Sequence, residues 1–215
     1  MNPFLKQKNI VLVGVFNPSK FEKYFFIKNN LFNEEDILPE SQFHSQLTQV
    51  LTVKYNILIL SNQIIVTFLE KESADLEIND FLKSFLTKIE IHDINLMGFN
   101  FDYAIEFENT VLTNAFSRQS FSNSNSDLYT KFFNSEDAAF GAYMSKDFKD
   151  SRLKLDIKPA KVQEIGKDQI PKNVILFSFN LNFEIKNKGI TISQLIEDYG
   201  IYKKECVDII SIYNI

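Results

Sequence analysis

The sequence predicts an α+β protein: one mostly antiparallel, curled sheet of about six or seven strands with helices on one face. Three observations carry that expectation. First, four stretches alternate apolar and polar residues almost without a slip. Phe177, Phe179, Leu181, Phe183 and Ile185 are spaced by Ser178, Asn180, Asn182 and Glu184. Leu153, Leu155 and Ile157 are spaced by Lys154 and Asp156, and the runs 99–107 and 53–60 behave alike. A period of two marks a strand with one face in a core and the other in water. Second, strands buried on both faces of a parallel sheet read as continuous apolar runs, so alternation argues for antiparallel pairing. Third, residues 78–89 and the C-terminal segment switch to helical period.

Taken in order, residues 10–16 (IVLVGVF) form a central strand that ends at Asn17-Pro18. Asn17 suits a helix cap and Pro18 a first helical position, so a helix follows with Phe21, Tyr24, Phe25 and Phe26. Residues 29–41 are polar, acidic and broken by Pro39, hence a loop. Two apolar runs within residues 46–69 flank Ser61-Asn62-Gln63, which predicts a hairpin with Asn62 at positive φ. Ile78, Phe81, Leu82, Phe85, Leu86 and Ile89 make one helical stripe. A strand over 94–108 contains Gly98, a sign of a bulge or a close backbone approach. A short helix is expected over 109–116, and the Ser/Asn-rich stretch 117–127 is a candidate mobile loop. Strands over 138–148, 152–162 and 174–185 complete the sheet, the last two joined through Gly166 and Pro171. Asn187-Lys188-Gly189 ends the sheet. A single closing helix begins after Thr191, which has capping-box spacing to Gln194. Its stripe is Leu195, Ile196, Tyr199, Tyr202, Cys206, Ile209 and Ile210. No repeat and no long linker interrupt the chain, so residues 1–215 read as a single domain.

Composition narrows the function classes. Of 215 residues, 45% are hydrophobic and 24% charged, enough to bury a core and not the mark of disorder. Phe occurs 22 times and Trp never, so the core is built of Phe. The net charge of −5 argues against general nucleic-acid binding, which relies on a basic face. The densest Lys/Arg cluster, 146–161, alternates with Asp147, Asp150 and Asp156 and reads as a solvated strand face. No stretch approaches the roughly 20 apolar residues of a membrane span, and residues 1–9 carry no signal-peptide pattern. A cytoplasmic protein is the expectation.

No catalytic, metal or cofactor-binding residue is assigned from the sequence. Cys206 is the one cysteine, placed on the apolar side of the last helix, where it is a small hydrophobe rather than a nucleophile. Two histidines, His44 and His92, are too few for a His-rich metal site, and His92-Asp93 reads as a loop pair. Val13-Gly14-Val15 holds one glycine and matches no phosphate-binding pattern. Asp102 and Glu106 share the polar face of one strand but stand roughly 13 Å apart by strand rise, too far for a glycosidase-type pair. Glu34-Glu35-Asp36 is a solvated run. Phe21, Phe25 and Phe26 read as core, and Asn100 as a residue that needs partners if buried.

Two segments resemble a known group. Phe16-Asn17-Pro18, Phe21, the aromatic cluster 24–26 and Asn29-Asn30-Leu31 resemble the opening of an uncharacterised family of bacterial proteins. In that family a strand runs into "FNP…F", an aromatic pair and an "NGL"-like turn. Leu96-Met97-Gly98-Phe99-Asn100 is similar to the family's later "GIN"-like strand start. Asn30 stands where the family has glycine, and Phe99 where it has isoleucine. The resemblance implies a bacterial accessory protein encoded beside partner genes, as in antiphage defence systems, and carries over no activity. Two functions are therefore carried forward. One is a non-enzymatic interaction subunit or adaptor that binds a partner protein or itself, through a half-wet sheet and its edges. The other is a small-molecule or nucleotide sensor or enzyme with a pocket between helix and curled sheet, lined by Asn100, Asp102 and Tyr103.

Overall fold

The computed structural model describes residues 2–71, 75–89, 94–163, 171–185 and 191–213. Its strands are β1 (Phe4–Gly14), β2 (Gln42–Phe43), β3 (Thr48–Leu51), β4 (Tyr55–Ile59), β5 (Gln63–Phe68), β6 (Ile94–Phe107), β7 (Ala142–Phe148), β8 (Ser151–Val162) and β9 (Lys172–Glu184). Its helices are α1 (Lys23–Lys28), α2 (Asp75–Leu86), α3 (Thr110–Phe121), α4 (Ile192–Glu197) and α5 (Tyr199–Ser211). Among the described residues the nine strands form one sheet, ordered β2-β3-β4-β5-β1-β6-β9-β8-β7, and every pairing is antiparallel. The sheet is open and ends at β2 and β7.

The α+β class holds, and the strand count is higher than six or seven. Residues 46–69 hold three strands because Thr52 folds the chain into an extra turn. Its Oγ1 accepts from the backbone N–H of Tyr55 at 2.9 Å and of Lys54 at 3.2 Å. β2 adds a two-residue pairing, Gln42 with Gln49 and Phe43 with Thr48. Among the described residues other than glycine, those at positive φ are Asn30 (φ 54) and Lys149 (φ 50), not Asn62. Asn30 thus takes a conformation that glycine adopts most easily. Gly98 sits in unbroken register between Val11 and Asn182, and the irregularities fall instead in β1, at Leu5/Gln7 and Val13/Gly14. α3 runs on through Phe121, so residues 117–121 are helix rather than loop. The closing helix is two helices, broken at Asp198 (φ −84, ψ 2). The capping box of Thr191 and Gln194 forms as expected. The stretch 164–170 and Asn187-Lys188-Gly189 lie outside the described residues.

Topology reveals a repeat that residue identities hide. β1-α1-β3-β4-β5-α2 is followed by β6-α3-β7-β8-β9 and the C-terminal helices. In each half the first strand pairs with the last strand of a three-strand meander, and the two first strands, β1 and β6, pair with each other at the centre. The repeat is one of pattern, alternating strands and a striped helix, and pattern survives without residue identity.

All the described helices cover one face. Ile10, Leu12, Ile57, Ile64, Val66, Phe99, Phe101, Phe177, Phe179 and Phe183 point under them and are buried. Tyr199 packs edge-on against Phe99 at 5.2 Å, Tyr202 against Phe183 at 4.9 Å, and Tyr213 lies 5.2 Å from Phe177. Each such ring removes about 1.5–3 kcal/mol worth of apolar surface from water. In the first half Phe21, Phe25, Phe26 and Phe32 form a chain of ring contacts that Phe81 and Phe85 continue.

Candidate functional site

The helix-free face shows what remains available to a ligand or partner. Across its centre runs a row of amides. Asn100 Nδ2 donates to Asn9 Oδ1 at 2.7 Å, Asn180 Nδ2 to Asn100 Oδ1, and Asn182 Nδ2 to Asn180 Oδ1. Asn100 therefore has the partners its half-buried position requires. The row follows from register: Asn9, Asn100 and Asn180 are directly opposed on β1, β6 and β9. Toward β3 this face carries Val11, Val13, Gln63, Ile65, Thr67, Asn56, Leu58 and Gln49, with no charge. Toward β7 it carries Asp102, Glu106, Asp147, Asp156 and Glu184 against Arg152, Lys154, Lys158 and Lys172. The ion pairs Arg152–Asp147 (3.0 Å), Lys158–Asp156 (2.7 Å) and Lys172–Glu106 (2.7 Å) cancel most of that charge locally. Such a surface offers phosphates no basic field.

The residues expected to converge on a pocket do not. Asn100 and Asp102 lie on the open face, whereas Tyr103, one position on, is buried under the helices. Two open grooves lie elsewhere. One of about 290 Å³ is lined by Phe16, Asn17, Lys20, Phe21, Phe25 and Lys88. The other, about 370 Å³, lies beside Phe32, Lys54, Tyr55, Glu77 and Phe81. Cys206 is fully buried, and burial, reinforced by Glu205, pushes its thiol pKa up, away from a reactive thiolate. His44 sits exposed in a turn, its N–H donating to Leu47 O at 2.8 Å. His92 and Asp93 lie outside the described residues. Glu106 pairs with Lys172, and Glu34 with Lys23 at 2.8 Å. Asp36 closes a turn onto the Asn33 N–H at 3.0 Å. Among the described residues no group of three or more His, Cys, Asp or Glu is placed to hold a metal ion. None of their helices is long and apolar enough to cross a membrane.

Two features were not singled out from the sequence. Lys8 is fully buried on the helix side of β1, where its Nζ donates to Lys71 O at 3.2 Å. Burial lowers its pKa, Lys203 adds to that, and Asp75, Glu77 and Glu70 oppose it. A lysine in phase with Ile10 and Leu12 was the sequence signal. The second feature is the β7 end of the sheet. Among the described residues β7 pairs with β8 alone, and its Tyr143 and Met144 are 65% and 45% exposed. In the connection that leads into it, Leu128, Phe132 and Phe133 are 63%, 74% and 46% exposed. Tyr129 lies 5.7 Å from Phe140, which holds this connection beside the start of β7. At the other end, β2 covers the corresponding flank of β3.

No model of a known protein family matches the chain, and no curated protein matches it.

Proposed function

We propose that this protein is a non-enzymatic interaction subunit that binds another protein chain by adding a strand to the free edge of β7. The observation that carries the reading is the coincidence of an unpaired seven-residue edge strand with exposed Leu128, Phe132 and Phe133 beside it. An unpaired edge offers a row of N–H and C=O groups that a strand from another chain satisfies. Adjacent apolar side chains supply the burial that main-chain bonds alone do not. Lysine commonly guards such an edge. Here Lys146 is engaged from the helix side, its Nζ 2.6 Å from Glu205 of α5, so its charge is partnered within the chain. As a subunit, the protein would serve a bacterial multi-component assembly, the class to which the resemblance of residues 16–31 and 96–100 points.

Ser145→Pro tests this. Proline is tolerated on an edge strand where the N–H faces outward, but it removes a donor and blocks the approach of a new strand. The expected result is an unchanged far-UV circular-dichroism spectrum together with loss of the proteins that co-purify with the unmodified chain. Equal recovery of the same proteins by the variant would overturn the reading.

A further inference from the structure

We infer that the chain added to β7 is a second copy of this protein, paired antiparallel about a two-fold axis through Ser145. The inference rests on the reading of β7 as a docking edge and names its occupant.

The geometry starts at the turn. β7 and β8 are joined by Lys149 and Asp150, with Phe148 opposite Ser151 and Lys149 left-handed (φ 50). A two-residue hairpin loop makes the flanking pair the first hydrogen-bonded one, and hydrogen-bonded and non-hydrogen-bonded pairs then alternate. Ala142, Met144, Lys146 and Phe148 thus direct their main-chain groups to β8. Tyr143, Ser145 and Asp147 direct theirs outward. Centring a two-fold on Ser145 pairs every outward residue with an outward residue: Ser145 with the partner subunit's Ser145, and Tyr143 with the partner subunit's Asp147. All seven residues of the strand overlap in this register.

The side chains agree with it. Lys146 falls opposite the partner subunit's Met144, and Ala142 opposite the partner subunit's Phe148. No like charges are directly opposed, the arrangement that destabilises cross-strand pairs. Moving the axis to Lys146 sets two lysines face to face, and moving it to Met144 shortens the overlap. A two-fold contact must be self-complementary, and this strand is. The internal repeat points the same way. In the first half β3 receives β2 on its outer flank, while in the second half β7, in the equivalent place, receives no strand among the described residues. A second copy fills the vacancy and joins two nine-stranded sheets into one.

The test is light scattering of the full chain across a concentration series, with three variants. The unmodified chain is expected to have the mass of two copies, and Ser145→Pro the mass of one. Met144→Lys places a lysine opposite the partner subunit's Lys146 at two symmetric sites and weakens the dimer by roughly several-fold to tenfold. Met144→Glu, at the same exposed position, tightens it or leaves it equal. The inference falls if the unmodified chain stays a single copy at every concentration, if Ser145→Pro leaves a dimer intact, or if Met144→Lys and Met144→Glu act alike. If Ser145→Pro fails to fold, the opposite effects of the two Met144 variants decide. A single-copy protein whose captured partner is lost in Ser145→Pro keeps β7 as a docking edge and rejects self-pairing. Capture and dimer both surviving Ser145→Pro reject both.

Discussion

The connection between the first helix and the meander occurs twice, and its two versions have opposite fates. In the first half, residues 29–47 tuck Phe32 inward, 6.0 Å from Phe26 and 5.8 Å from both Tyr55 and Phe81, and then lay down β2 along β3. In the second half, residues 122–141 leave Phe132 and Phe133 in water and lay down no strand along β7. The same topology is sealed at one end and open at the other. Since an apolar residue gains free energy only where it finds a partner, the open end has burial still to gain. The helix-free face divides the same way, uncharged toward β3 and ion-paired toward β7.

The largest way to break the comparison is to remove the ring that seals the first half. Phe32→Ala should cost about 3–5 kcal/mol, the usual range for a buried Phe, since Phe26, Tyr55 and Phe81 cannot all close the void. Chemical denaturation measures it. A loss below about 1 kcal/mol would mean that the first connection is no better packed than the second.

Strand alternation made most of this architecture legible. The strands that a period of two predicts over 94–108, 152–162 and 174–185 are β6, β8 and β9 to within two residues at each end, and the one stripe over 78–89 is α2. What escaped was set by partners distant in sequence. The two-residue β2 exists only because β3 lies beside it. The three-residue turn at Thr52 depends on one hydroxyl. The break at Asp198 leaves the apolar stripe intact on both sides, so the stripe could not show it. The β7 edge was illegible for another reason. Residues 128–133 have no period, and apolar residues without one do not announce whether they are core or surface.

The last helix gives the next largest effect. Ile210 is buried and Ile209, expected beside it in the core stripe, is only partly so. Ile210→Ala should therefore cost about 2–5 kcal/mol, and Ile209→Ala about half as much or less. Equal losses in thermal melts would place both side chains at the same depth and contradict the rotation of α5 seen here.

Tyr199 tests the seam between the halves, where α5 meets the central strands. Its hydroxyl is buried with no hydrogen-bond partner among the described residues, and burial holds its pKa well above the usual value, Asp75 and Tyr103 adding to the effect. Tyr199→Phe removes an unsatisfied polar atom and should leave stability equal or raise it by up to about 1 kcal/mol. The pH dependence has a definite sign. A tyrosine whose folded pKa is raised contributes stability that is fully present below its unfolded pKa of about 10 and lost as pH rises beyond it. Tyr103 is raised by burial in the same way, and Tyr202 is pushed up to about 12 by burial with Asp150 adding. Stability should thus fall above about pH 10, and less steeply in Tyr199→Phe. Tyrosinate absorbance that develops before unfolding would show these rings to be wetter than their packing implies.

The smallest expected effect on stability is the sharpest for the comparison. Phe132 occupies the half that was left open, and at 74% exposure it rests on little. Phe132→Ala should change the unfolding free energy by less than about 0.5 kcal/mol, as surface substitutions do, against the several kcal/mol of Phe32→Ala. A neutral value alone would not separate a docking residue from an idle one. Association does. If the open end is an interface, Phe132→Ala lowers the affinity of the chain for its partner while the isolated protein melts unchanged. A loss of more than about 1 kcal/mol in the melt of the isolated chain would instead place this ring in a core. The two versions of the connection would then differ in detail rather than in kind.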